Sequence, residues 1–496
     1  MIDGGYDSHA VAAENLAIVQ ETFSGAGIEY VTLPSADLFR PTVVVRREES
    51  AAVAATLAVL TGTDGWFADR ETGAFLPTES AARSSYRKRL GVVAYIVGRR
   101  CVTVGGATLS SHREFVNIQV WTYVRSAPGK SEPPNERSGR LTASPVHRKD
   151  VVSTITTAQW NDAQSSAGHL LELGGPLLMK ITEPIDLVYT WVDGTDPTWL
   201  KRKEEVLSSF DVSVVHATAA SPSRFSSRDE LRYSLRSVEM YANWVRHIYI
   251  VTDGQIPAWL NVDHPKITIV DHKEIFSELD GLPVYNSHAI ESQLHRIPGL
   301  SERYLYLNDD VFIGRPISPL LFFTSSGLSK FFPSKESLDL DRSSNLDMPV
   351  TAAAKNNREY IRGETGRVLT NKFKHTPHPQ IRSVLEQFEK AEPQLFSRIS
   401  KSRIRHPEDL SIASALYHYL AYTQGRAIEG SVEYAYVDVG RPDTAFRLLR
   451  LRNERDLDVF CLNETAGSGG NNDENNLVVD RFLDERFPLL SSFELF

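Results

Sequence analysis

Ile185-Asp186-Leu187-Val188-Tyr189-Thr190-Trp191-Val192-Asp193-Gly194 is a hydrophobic run that breaks off at a carboxylate and a glycine. It reads as a buried strand delivering an acid to its own carboxyl end. Three further segments repeat the design: His247 to Thr252 leads into Asp253-Gly254, Ile267 to Val270 into Asp271-His272, and Tyr304 to Leu307 into Asn308-Asp309-Asp310. Asp and Gly favour turns for conformational reasons alone, so any one of these endings is ordinary. Four together predict an open α/β sheet with polar groups along one rim, where such sheets bind ligands and where a cation and an anionic substrate would meet.

The chain has 496 residues, too many for one compact core, and about two to four domains are expected. With 63 acidic against 54 basic residues and a net charge of -9, it lacks the basic footprint of nucleic-acid binding. Cys101 and Cys461 are the only cysteines, which excludes a disulfide framework or a cysteine zinc cluster and fits a reducing compartment. Met1 to Asn15 has no basic segment followed by an apolar core, so no signal peptide is expected. The most apolar stretch, Ala51 to Leu60, is too short to span a bilayer. These features together suggest a soluble cytoplasmic protein.

Three regions follow from the patterning. Residues 1–110 alternate periodic and extended segments (Val11 to Ser24 and Glu48 to Leu60 helical, Ile28 to Leu33 and Pro41 to Arg46 extended), which predicts a separate small α/β module. Residues 111–180 read as a connecting region with a mobile loop, since 126–149 collect Ser, Pro, Gly, Asn and Arg. Residues 181–496 carry the stronger strand and helix alternation and are expected to hold the catalytic domain. Within it, Ser468 to Asn476 reads as a flexible loop and Leu477 to Phe487 as a short helix before Pro488.

Ser226-Ser227 are N-cap candidates for a helix over Arg228 to Tyr241, with Leu231, Leu235 and Val238 on one stripe. Arg228, Arg232 and Arg236 form a second stripe at four-residue spacing that could grip a diphosphate through forked hydrogen bonds. The competing reading is a solvated face, with Arg236 paired to Glu239 and the others to Asp229 or Glu230. In Asn308-Asp309-Asp310 an extended backbone turns Asn308 and Asp310 one way and Asp309 the other. One or two carboxylates at such a strand end suffice for Mg2+ (or Mn2+), which keeps waters and bridges to phosphates, whereas a turn merely capping backbone groups is the alternative.

Lys374-His375-Thr376-Pro377-His378-Pro379-Gln380-Ile381-Arg382 has an H-x-x-H spacing, but its prolines prevent the helix a zinc pair would use. Pro379 suits a first helical position, which predicts a helix from about Gln380 to Lys390 with His378 and Arg382 at its anion-attracting end. A histidine beside phosphate can move a proton near neutral pH. Arg403-Ile404-Arg405-His406-Pro407 precedes a second expected helix, Glu408 to Gln424.

In these segments the chain resembles the Stealth family of sugar-phosphate transferases. The resemblance runs in order from Ile185 to the C-terminus: IDLVYTWVDGTD; Arg224-Phe225 with ELRYSLRS and VTDGQ; KHTPHPQIRSVLE with Arg403 to Asp409; and Cys461-Leu462-Asn463-Glu464 with the terminal Arg486-Phe487-Pro488 and Ser491 to Glu494. It departs at Glu464, where relatives often carry Asp. The added methylene moves the carboxylate and leaves Asn463 the better candidate.

The resemblance implies a Rossmann-like, mostly parallel α/β fold and a UDP-sugar donor, either a UDP-hexose or a UDP-N-acetylhexosamine. The reaction implied is transfer of hexose 1-phosphate to a hydroxyl of a polysaccharide or glycolipid acceptor, releasing UMP, in capsule or exopolysaccharide synthesis. Under it, Asp309 and Asp310 are expected to hold the metal, Arg236, Arg382 and Arg405 the phosphates, and His378 to transfer the proton, with His375 its rival. Asp193, Gly194 and Asn463 are expected near the nucleotide, while Asp253 and Asp271 are open to structural roles. A lipid-linked acceptor would bring the enzyme to membrane-bound polysaccharide machinery at the inner membrane face. The alternatives are a metal-dependent glycosyltransferase releasing UDP and a nonenzymatic sugar-binding protein.

Overall fold

The computed structural model describes residues 5–63, 65–71, 94–124, 140–143, 151–210, 225, 228–464 and 472–495. The chain divides into two compact units, Met1–Lys180 and Ile181–Phe496.

In the first unit α1 (Ser8–Gly25) and α2 (Ser50–Leu60) pack on a sheet of β1 (Tyr30–Leu33), β2 (Thr42–Arg46), β3 (Trp66–Glu71), β4 (Ala94–Arg99) and β5 (Val116–Val124). The order is β1-β2-β5-β4-β3, and β6 (Arg140–Thr142) continues from β5 to β7 (Thr154–Thr156), ahead of α3 (Thr157–Gln164). The helices and strands expected before residue 61 are present with boundaries shifted by a few residues. The expected connecting region, 111–180, is corrected: β5 is the middle strand of this sheet. Its alternation explains why, because Val116, Ile118 and Val120 join the core that includes Val19 and Leu57, while Trp121 faces a second core with Trp160. Of the expected loop over 126–149, only 140–143 lie among the described residues.

Among the described residues of this unit, one acid is buried. Glu114 accepts hydrogen bonds from the Tyr6 hydroxyl and the Ser111 backbone N–H, yet burial outweighs both and pushes its carboxyl up to about 7.

The second unit is built on β8 (Ile185–Thr190), β9 (Ile248–Thr252), β10 (Ile267–Asp271) and β11 (Arg303–Asn308). Then come β12 (Val311–Ile313), the short strands β13 (Ser329–Phe331), β14 (Pro333–Ser337) and β15 (Asn371–Phe373), and β16 (His378–Ile381). The chain ends with β17 (Ala427–Glu429), β18 (Tyr434–Asp438) and β19 (Val459–Asn463). Its main sheet has the order β10-β9-β8-β11-β16, with β8 to β11 parallel and β16 antiparallel on the edge. This is the expected Rossmann-like α/β arrangement: the chain steps outward from β8 to β10, then returns to place β11 on the other side of β8. The carboxyl ends of β8 and β11 therefore flank the switch point where a ligand crevice forms.

All of Ile185 to Tyr189 is buried, as a central parallel strand requires. Asp186 is tolerated there because Arg246 bonds both its oxygens, at 2.7 and 2.5 Å, and the Ser301 N–H adds a third bond at 2.7 Å. At the other end of β11 the triplet Asn308-Asp309-Asp310 is a corner. The chain leaves the main sheet there and enters a three-stranded sheet, β12-β19-β18, with Val311 opposite Cys461.

Several local expectations are corrected. His378-Pro379 does not open a helix: Pro379 lies opposite Leu305 in the edge strand β16, where its missing N–H is tolerated, and the helix begins at Arg382. Glu408 to Ser411 are not helical either, and a π turn over Ile412–Leu416 precedes the helix Tyr417–Thr423. Asp409 explains this, because its carboxylate is tied to Asn286 (2.8 Å), Ser402 (2.7 Å) and the His406 N–H (2.9 Å). The helix expected from Leu477 begins at Asn472, so the expected loop ends earlier and its residues 468–471 lie outside the described ones. After α4 (Pro197–Ser208) comes α5 (Glu230–Tyr241), which Asp229 precedes; the expected caps Ser226-Ser227 lie outside the described residues.

Candidate active site at the end of strands 8 and 11

Asp310 is the centre of the rim. Its Oδ1 lies 3.1 Å from His375 Nε2, and its Oδ2 accepts from Asn463 Nδ2 at 2.6 Å and from the Cys461 thiol at 3.5 Å. Burial alone would raise this carboxyl, but His375, Asn463 and Cys461 outweigh burial and hold it below the usual range. His375 responds in kind: burial disfavours its charge, while Asp310 and, further off, Glu291 raise its pKa above the ordinary histidine value.

A second layer orients the pair. Asn308 Nδ2 is 3.3 Å from the same His375 nitrogen, and its Oδ1 accepts from the Tyr306 hydroxyl at 2.8 Å. Tyr306 also contacts Thr190 at 3.1 Å and the buried Glu291 at 3.3 Å, which holds Ser414 at 2.6 Å. Asn308 and Asp310 both reach His375, as the expected strand geometry requires, and Asp309 feels the charges of Glu230 and Asp310. Burial and the charges of Glu230 and Asp310 raise the Asp309 carboxyl well above its ordinary value. Such crowding of buried acids suits a divalent cation, because a bound charge would relieve it.

His378 is close by but different in character. Its Nδ1 meets His418 Nε2 at 3.1 Å, its ring stacks on Tyr306, and burial among His418 and His375 drives its pKa well below the histidine range. His375 and His378 both line a cavity of about 110 Å³ with Phe373, Ser414, Asn357 and Tyr419. Arg405 belongs to the same neighbourhood: it donates to Ser287 at 2.6 Å, and Glu291, Asp409 and Tyr306 oppose the lowering that burial imposes on it.

Two expected phosphate ligands lie elsewhere. Arg382 pairs with Glu386 at 3.1 Å one residue beyond Ile381, which sits opposite Arg303 at the amino end of β11. Five strand residues, about 17 Å, separate that end from Asn308. Arg236 is buried and donates to both oxygens of Glu494, at 2.7 and 2.8 Å, and to the Phe487 carbonyl at 3.0 Å. Arg232 also bonds Glu494, so two of the three stripe arginines fasten the C-terminal segment. Arg228 differs: it joins Glu230, Glu464 and Asn476 beside the acids of the rim.

The remaining expected residues are at or near β8. Asp193 accepts from the Thr195 N–H at 2.8 Å and hydroxyl at 2.6 Å, with its own N–H on Gln255 at 3.0 Å. Gly194 allows a close approach, because a Cβ there would lie 1.8 Å from the Phe225 carbonyl oxygen. Asp253 pairs with Arg202 at 3.0 Å and Asp271 caps the turn His272–Ile275, both structural roles. Glu291, Tyr306, His418 and Cys461 were not anticipated. The alternation of Cys461 and Asn463 along β19 was a usable signal, since residues two apart share a face; nothing in the sequence marks Glu291.

Family models match the chain in three places: Stealth protein CR1, conserved region 1, over residues 183–211; conserved region 2 over 224–331; and conserved region 3 over 374–422. An exopolysaccharide phosphotransferase of Streptomyces coelicolor is 37% identical over 97% of this chain and 82% of its own length. The chain belongs to the Stealth family. This Stealth protein is a transferase, and it is also 32% identical to the exopolysaccharide phosphotransferase CpsY of Mycobacterium leprae, over 99% of this chain and 88% of that one. Among solved structures, the galactosyltransferase LgtC in complex with donor and acceptor sugar analogues is similar at a TM-score of 0.31 and 12% identity, over 62% of this chain and 96% of that one. That likeness is too slight to define the fold, which rests on the strand order. Among the described residues, no helix of the Stealth chain is long and apolar enough to cross a membrane.

Proposed function

We propose that this Stealth protein transfers hexose 1-phosphate, or its N-acetylhexosamine counterpart, from a UDP-sugar to a hydroxyl of a polysaccharide or glycolipid acceptor, releasing UMP, in exopolysaccharide or capsule synthesis. The observation that carries the reading is the Asp310–His375 pair at the switch point, its carboxylate held by Asn463 and its imidazole bordered by a cavity. With Nε2 turned to Asp310, the neutral imidazole presents Nδ1 to an acceptor hydroxyl. As the acceptor oxygen bonds to the donor's β-phosphorus, the anhydride bond to the α-phosphate breaks, UMP departs, and His375 takes the hydroxyl proton. Asp310 then stabilises the imidazolium, a task to which its low pKa is suited.

His375 replaces His378 in this role, since burial keeps His378 neutral and a poor proton acceptor. Arg405 would offset charge on the transferred group. Asp309 and Asp310 would hold Mg2+ or Mn2+, which supplies charge neutralisation of a diphosphate. Asp193, Gly194 and Asn463 line the nucleotide side. Membership and the relatives' names support the transferase class; the donor, the metal and a place at the inner membrane face are our reading.

The test is incubation with a panel of UDP-sugars, Mg2+ and an oligosaccharide acceptor, scored by mass for the nucleotide product. UMP with phosphosugar on the acceptor is expected. UDP would identify a conventional glycosyltransferase, and donor binding without turnover a sugar-binding protein.

A further inference from the structure

Cys461 is a buried thiol on the face of β19 that looks at Asp310, and the reaction above makes no use of it. One ligand atom from each of Asp310, His375 and Cys461 can be chosen so that all lie within 4.8 Å of one another. The shortest contacts are 3.1 Å from Asp310 Oδ1 to His375 Nε2 and 3.5 Å from Asp310 Oδ2 to Cys461 Sγ. Bonds of about 2.0 Å to oxygen and nitrogen and about 2.3 Å to sulfur, set tetrahedrally, need separations of about 3.3–3.6 Å. With every pair of ligand atoms within 4.8 Å, side-chain adjustments of about 1 Å bring the three to that spacing.

The donor set decides which ion fits. Mg2+ takes oxygen and binds thiolate poorly, whereas a carboxylate, an imidazole and a thiolate together suit Zn2+ or Co2+. Three protein ligands leave a fourth position, and the His375 side chain, 30% exposed and bordering the cavity, gives an entry path. Asn463, bonded to Asp310 at 2.6 Å, fixes the carboxylate as an outer partner would.

We propose that Asp310, His375 and Cys461 form a binding site for a thiophilic divalent cation of the Zn2+ and Co2+ class, and that its occupation switches the transfer reaction off. On binding, the Cys461 thiol loses its proton to solvent, as does His375 where it is imidazolium, and the ion sheds waters for the three ligands. The imidazole lone pair then lies on the metal and the carboxylate is withdrawn from Mg2+. The inhibitory half rests on the role proposed for the Asp310–His375 pair; the binding half does not.

The probe is Co2+, titrated into the full chain and followed by the near-ultraviolet thiolate-to-cobalt charge-transfer band. One equivalent is expected to give the band, and Zn2+ to abolish it by displacement. Because Cys101 is the only other cysteine, the variants are decisive. Cys101→Ser is expected to keep the band, Cys461→Ser to lose it, and His375→Gln to weaken Co2+ binding about tenfold or more. Absence of the band in the unaltered chain, its survival in Cys461→Ser, or its loss with Cys101→Ser alone would overturn the site, provided the thermal melts of the variants match. Zn2+ is expected to stop nucleotide release in the unaltered chain, and a band without inhibition would remove the switch while leaving the site. The nucleotide released is a separate readout, so a UDP product would fault the proposed reaction without touching the metal site.

Discussion

At the residue scale the catalytic proposal reduces to one carboxylate raising one imidazole. A base must be unprotonated, so transfer should increase with pH through a His375 pKa lying above the ordinary value of about 6.5. Asp310→Asn removes the charge responsible. Its acidic limb is expected to move to lower pH while the plateau rate falls by about 10²–10⁴-fold; an unmoved limb in a kcat against pH profile would refute the coupling. Arg405→Ala is expected to lower UMP release about tenfold or more, whereas Arg382→Ala, which breaks only a half-exposed pair with Glu386, should leave it unchanged and cost at most about 0.5 kcal/mol. Asn308, Asp309 and Asp310 were legible in sequence because three polar residues in a row end a fully buried strand, more than one turn needs for capping, whereas the single acids Asp253 and Asp271 at the neighbouring ends are structural. Arg236 was not, since guanidiniums at helical spacing look alike whether they await phosphate or an acid 258 residues away.

The four parallel strands and the helix carrying the arginine stripe could be read from periodicity, and so could most of the first unit. The edge strand β16 could not: Pro379 suits a helix start and an edge strand equally, and only the pairing of Tyr304 to Tyr306 with His378 to Gln380 decides between them. Element α5 owes its place to Glu494 as much as to its apolar stripe. Burial would raise the Glu494 carboxyl, but Arg236, the Ser491 N–H and Arg232 pull it down to about 2. Arg236→Met takes one of the two guanidiniums from the buried Glu494 and leaves it Arg232 and Ser491, and about 3–5 kcal/mol of stability is expected to be lost, measured by urea denaturation. Gly194→Ala tests the turn after β8. With Phe225's carbonyl in the way, about 1–3 kcal/mol should be lost.

Across the whole molecule the two units should answer acid in opposite directions. Glu494, with its folded pKa depressed to about 2, stabilises the second unit above the unfolded value of about 4.3 and loses that contribution as pH falls toward 2. Glu114, raised to about 7, has the reverse sign: the first unit is favoured below about 4.3 and loses about 3 kcal/mol as pH rises through 7. Calorimetry of the full chain is expected to show the second unit's transition moving down in temperature between pH 5 and 3 while the first unit's does not, and the first unit's moving down between pH 5 and 8. The division into units was only half visible in the sequence, because a low-complexity stretch resembles a linker even when strands on both sides of it belong to one sheet.

The corner at Asn308-Asp309-Asp310 joins two sheets that otherwise run their own hydrogen-bond ladders, and Leu462 donates its N–H to the Asp310 carbonyl at 3.0 Å. Anything that grips the Asp310 side chain therefore steadies both ladders at their shared seam. Donor binding should slow amide deuterium uptake at Leu462 and Asn463 as well as along β11, so that peptides from the far end of the sequence report on the nucleotide.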